Sequence, residues 1–140
     1  MWLIYALLSA LSAALVAIFG KLGLKNIDPT LATTIRSIIM VFFLIVVSVS
    51  MNKWQGFNLN SLSSKDWWLI VLSGVAGAVS WLFYFYALKG GLATKVAVID
   101  RLSIVFVIIM AVLILGEAFS WKTAAGVLMI VGGAIIISLS

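Results

Sequence analysis

The chain is apolar in runs about as long as a bilayer is thick, and no other feature constrains its fold so tightly. Five stretches, at about 2–20, 30–50, 67–88, 93–115 and 121–139, carry very few charges. A helix needs about 20 apolar residues to cross the hydrocarbon layer, and it satisfies its own backbone there. With 65% hydrophobic and 9% charged residues among 140, a water-soluble fold would lack the polar side chains to cover itself. The expectation is an all-α integral membrane protein: one domain over residues 1–140, five transmembrane helices, multi-pass in the cell (inner or plasma) membrane.

The connections hold the breakers and the charges: "KLGLKNIDP", "MNKWQGFNLNSLSSKD", "KGGL" and "GEAFSW". Pro29 after Asp28 suits the first turn of the second helix, where its missing N–H costs nothing. Ser63 or Ser64 can cap the third helix, with Asp66 in its first turn. The opening "MWLIYALLSALSAALVAIFGK" resembles a signal peptide in its apolar core. It has no Lys or Arg before that core, so a retained first helix is expected.

Several functions are excluded by what is missing. Cysteine and histidine are absent, which removes disulfides, the common zinc sites and a Ser-His-Asp triad. No Gly-rich loop with Lys-Ser/Thr is present to cradle a nucleotide phosphate, and no cofactor or metal is expected. The net charge of +5 does not indicate a nucleic-acid partner, because the lysines lie singly between apolar blocks. The chemistry points away from an enzyme.

Five spans put the termini on opposite faces. Lys53, Lys65 and Lys122 belong to one face, and Lys21, Lys25, Lys89 and Lys95 to the other. Arg36 and Arg101 lie nearer the second face, which favours that face inside. One fixed orientation and dual topology, with copies inserted both ways, both remain open on charge alone. Trp2, Trp54, Trp67, Trp68 and Trp121 fall on the first face, as interfacial tryptophans do.

The fourth stretch, "VAVIDRLSIVFVIIMAVLILGE", poses the functional question, because Asp100 and Arg101 sit side by side inside it. They lie roughly 5–6 Å short of the middle of a helix over 93–115. Arg36 is at a similar depth in the second helix. Each such charge costs about 2.5–3.5 kcal/mol near a span centre, so it needs a partner or a wet cavity. In a structural reading Asp100 pairs with Arg36 while Arg101 snorkels toward the headgroups. In a functional reading the trio lines a solvated pocket of net charge +1. Both predict Arg36 and Asp100 as neighbours.

Other polar residues recur at helical spacing: Tyr5, Ser9 and Ser12; Thr30, Thr34 and Ser37; Trp81 with Tyr84; and Ser103 one turn after Asp100. They either line a cavity or pack between helices, as small hydroxyl residues do. Trp81 alone among the tryptophans is away from the interface. Gly126 and Gly133 share a face of the fifth helix, and Gly74 with Ala78 forms a small pair in the third. Such faces serve close packing within the chain or between two copies.

The stretches "ATTIRS", "SWLFYFYALKGGLATKVAVIDRLS" and "LILGEAFSWKTAAGVLMIVGGAII" resemble a single EamA-type repeat of the drug/metabolite transporter superfamily, over essentially the whole chain. The resemblance implies one inverted-repeat unit of a ten-helix secondary transporter fold. A lone unit needs a second copy of itself, antiparallel, or a homologous half-transporter. The superfamily's small multidrug resistance proteins are similar in size and form antiparallel dimers whose seam uses glycines seven apart, like Gly126 and Gly133. The near-balanced lysines fit such a dual-topology homodimer.

Those small relatives carry an acid in the first helix that exchanges protons for lipophilic cations. No acid lies between Trp2 and Gly20, and Asp100 is flanked by arginines, which disfavours a cationic-drug exporter. The expected function is gradient-driven, alternating-access export of a small polar metabolite, such as an amino acid or organic acid. Candidate substrate or coupling residues are Arg36, Asp100, Arg101, Trp81, Tyr84, Ser103, Tyr5 and Ser9, with Glu117 structural at a helix end. The rival class is a membrane accessory subunit whose charges only lock helices together.

Overall fold

The computed structural model of the chain describes residues 1–55, 57, 58 and 61–140. Among them every regular element is a helix: α1 (Trp2–Gly23), α2 (Pro29–Ser50), α3 (Ser64–Gly90), α4 (Ala93–Asp100), α5 (Ser103–Leu115) and α6 (Trp121–Leu139). Five stretches are long and apolar enough to cross a membrane, with α4 and α5 together making the fourth, Ala93–Leu115.

The helix ends follow local chemistry. Asp28 accepts from the Thr30 and Leu31 N–H groups at 2.8 and 3.3 Å, and Pro29 opens α2 behind it. Desolvation by the surrounding protein pushes the exposed Asp28 carboxyl up, but those N–H donors, the Thr30 side chain and the Lys89 charge outweigh it and hold it below the usual carboxylate value. Before α3, Ser63 Oγ accepts from the Asp66 N–H at 3.2 Å while Asp66 Oδ2 accepts from the Ser63 N–H at 3.0 Å. Two orphan donors are thus satisfied reciprocally. Ser120 caps α6 by accepting from the Thr123 N–H at 3.1 Å. Gly116 ends α5 in the left-handed region at φ 68°, which explains the glycine of the "LGE" turn.

The fourth span differs from the single helix expected over 93–115. The Arg101 and Leu102 N–H groups donate to Val98 and Ile99 carbonyls, and those of Ile104 and Val105 donate to Arg101 and Leu102. All four bonds run from i to i−3, so α4 passes into α5 through a tightened 3₁₀ turn. Neither glycine nor proline marks the place.

The chain divides into two compact units, a middle one of Phe19–Lys89 and a terminal one of Met1–Ile18 with Gly90–Ser140. In the middle unit the end of α1 closes on α3 at Gly20, where an added β-carbon would meet Phe85 Cζ at 3.3 Å and Leu88 Cδ1 at 3.4 Å. Phe85, Leu88 and Leu24 are buried there. In the terminal unit α4 packs on α6, and Lys95 Nζ donates to the Ser138 carbonyl at 3.1 Å, capping α6. Large apolar side chains such as Phe42, Phe83, Leu113 and Met129 face outward, as suits helices whose solvent is lipid.

Candidate functional site

In the middle unit the rings of α3 gather at Arg36. The Arg36 guanidinium carbon lies 3.8 Å from the centre of the Trp81 ring and 5.6 Å from that of Phe85. Trp81 and Tyr84 meet edge to face with centroids 5.6 Å apart, and Trp81 and Phe85 do so at 6.1 Å. Residues 84 and 85 both stand about one turn after 81 on α3, so helical spacing alone puts three rings on one face. Trp2, Trp54, Trp67, Trp68 and Trp121 are exposed, whereas Trp81 is half-buried.

The stacking is an electrostatic solution to a buried cation. A ring face offers a desolvated guanidinium about 2 kcal/mol, against an insertion cost of about 2.5–3.5 kcal/mol. A shortfall of the order of 1 kcal/mol is left for hydrogen bonds to meet. Within the middle unit no described residue accepts one from Arg36. Its face is held and its N–H fork is open, which is the geometry that receives a carboxylate through two parallel bonds.

The hydroxyls of α2 have other work. Thr30 Oγ1 and Tyr86 Oη share a hydrogen bond of 2.9 Å. Thr33, Thr34 and Ser37 donate to the Pro29, Thr30 and Thr33 carbonyls at 2.7–2.8 Å. Such back-bonding lets a hydroxyl sit in an apolar surround with its donor satisfied.

In the terminal unit Asp100, Arg101 and Ser103 flank the tightened turn and are exposed. A 3₁₀ turn aligns residues i and i+3 along the helix, which brings Ser103 into line with Asp100. Within this unit no described residue donates to the Asp100 carboxylate. Tyr5 and Ser9 are exposed on α1, and neighbouring Ser12 donates to the Leu8 carbonyl at 2.9 Å. On α6 an added β-carbon at Gly126, Gly132 or Gly133 would meet nothing within 4 Å, and the same holds at Gly74.

Phe85 was not among the residues singled out from the sequence, although it lies four after Trp81. In an almost wholly apolar helix that spacing marks a face without saying which face is covered. No cluster of acidic residues among those described could hold a metal ion.

The sequence model of the EamA-like transporter family matches residues 1–139. A curated protein of Sinorhizobium sp, described as an uncharacterized transporter in the cobO 3' region, is 39% identical over 138 residues, which cover 99% of this chain and 96% of that protein. No solved structure matches.

Proposed function

The chain belongs to the EamA-like transporter family, and from that premise we propose that it exports a small carboxylate-bearing metabolite, an amino acid or organic acid. It works as a gradient-driven secondary transporter in the cell membrane. The observation that carries this reading is the Arg36 guanidinium, held over Trp81 inside a membrane span with its N–H fork open within its unit. A lipophilic cation would be repelled there. A carboxylate would complete the site.

In this proposal Arg36 anchors the carboxylate, and Trp81, Tyr84 and Phe85 shape the apolar side of the cavity. Asp100 is the coupling group, pairing with Arg36 when substrate is absent. Arg101, Ser103, Tyr5 and Ser9 complete the path. One five-helix unit supplies half of an inverted-repeat carrier, so a second copy inserted antiparallel, or a homologous half, supplies the rest. Two observations support that pairing. The Sinorhizobium relative, named as a transporter, has almost no length outside its match to this one unit. The α6 glycines Gly126 and Gly133 leave open space beside them, which suits helices meeting closely across a seam.

The test compares metabolites released by cells expressing the wild-type chain, the Arg36→Gln variant or neither, followed by flux of the released compound in proteoliposomes. Export of a carboxylate compound that is lost in Arg36→Gln supports the reading. Release indifferent to Arg36, or release of organic cations only, overturns it.

A further inference from the structure

A second charged feature of the middle unit lies where its spans meet water. A cleft of about 200 Å³ is lined by Lys21, Leu24, Lys25, Leu88 and Lys89. Lys21 is in the last turn of α1 and Lys89 in the last turn of α3. The cleft exists because Gly20 lets α1 close on Phe85 and Leu88. Lys21 Nζ then reaches the Leu88 carbonyl at 2.6 Å, and Lys89 Nζ reaches the Ile27 carbonyl at 3.0 Å.

Lysines that only set topology extend freely into water, but two of these three are fixed across element boundaries. Carbonyl oxygens satisfy donors at orphan helix ends without cancelling charge. Lys25 makes no hydrogen bond or ion pair among the described residues. Asp28, beside Lys89, has its carboxylate turned to the Thr30 and Leu31 N–H groups. Three ammoniums against one carboxylate leave a local charge of +2. Leu24 and Leu88 close the base of the cleft at 2% and 0% exposed, while Leu22 and Ile27 beside it are exposed.

We infer that Lys21, Lys25 and Lys89 form a binding site for the phosphate of an anionic phospholipid headgroup. A basic cleft at the end of membrane spans, with exposed Leu22 and Ile27 beside it, matches a molecule with a phosphate above a glycerol and acyl chains. Free phosphate would use the lysines and gain nothing from the apolar surface beside them. Each lysine near such a headgroup is worth about 1 kcal/mol, or about fivefold in binding. The site is independent of Arg36 and of what is transported.

The experiment is native mass spectrometry of the full chain released from nanodiscs of phosphatidylcholine with phosphatidylglycerol. The wild type retains phosphatidylglycerol selectively. Lys25→Gln, which removes no bond of the fold, lowers that selectivity about fivefold. Lys25→Gln with Lys89→Gln abolishes most of it, Lys25→Arg preserves it, and Lys122→Gln leaves it unchanged. Equal retention of the two lipids by the wild type, or selectivity that survives the double variant, overturns the inference. Displacement of phosphatidylglycerol from the mixed discs by millimolar inorganic phosphate also overturns it, in favour of a free-phosphate site.

Discussion

Replacing Trp81 by leucine takes away the ring under Arg36 while keeping the position apolar. At 3.8 Å from the indole centroid the guanidinium is within full cation–π range, and with half its surroundings desolvated the attraction is worth about 1–2 kcal/mol. Trp81→Leu also leaves a void, because leucine is smaller, and that loss occurs whatever Arg36 does. A double-mutant cycle with Arg36→Met separates the two. The assay is thermal unfolding of detergent-purified protein followed by size-exclusion fluorescence, with all four variants run at one lipid-to-protein ratio. The cycle should return a coupling of about 1–2 kcal/mol. Trp81→Phe should keep part of it, since phenylalanine has a weaker ring field. A coupling within about 0.3 kcal/mol of zero would mean that the stacked geometry carries no energy and that Arg36 is held by something else.

On the proposed pairing of Arg36 with Asp100, Arg36→Gln and Asp100→Asn each strand one charge within a span, at about 2.5–3.5 kcal/mol, and should lower folded yield. Their combination should recover much of the yield while transport stays lost, and strictly additive losses would show that they are not partners. Gly126→Leu or Gly133→Leu should leave the monomer folded, because the added side chain meets open space, yet reduce cross-linked dimer; undiminished cross-linking in both would remove α6 from the seam. Because the folded Asp28 carboxyl lies below the usual carboxylate value, its capping contribution is complete above that ordinary value and lost as pH falls through the folded pKa. Asp28→Asn, which still caps, should therefore flatten the acid limb of a thermal-stability profile, and an unchanged limb would assign acid sensitivity elsewhere.

The helix starts were legible because their chemistry is local. Asp28 with Pro29, and Ser63 with Asp66, are each complete within four residues, and the structure forms both. The α4–α5 turn was not legible. Its sequence, Ile99 to Ser103, contains nothing that breaks a helix, so the change in hydrogen bonding owes nothing to propensity. Spacing drew attention to Gly126 and Gly133 as a helix seam, whereas Gly20, which belongs to no pair of glycines seven apart, is a glycine that admits a neighbouring helix within the middle unit. Pairing motifs report that helices can approach, and only tertiary structure reports where they do. For Arg36, charge inside an apolar run gave the residue. Its stacking on Trp81 needed two helices to be placed side by side.

The turn at Arg101–Leu102 also sets a phase difference along the fourth span. Each 3₁₀ step advances about 120° and 2.0 Å, against about 100° and 1.5 Å for an α step. Over the two residues between α4 and α5 the two halves fall out of phase by about 40°, with about 1 Å of added length. A stripe drawn on one continuous helical wheel from Ala93 to Leu115 therefore drifts off its face beyond Ser103. The face that α4 turns toward α6 is continued in α5 by residues rotated by that angle, and rotation and extension at this point are coupled as in the thread of a screw.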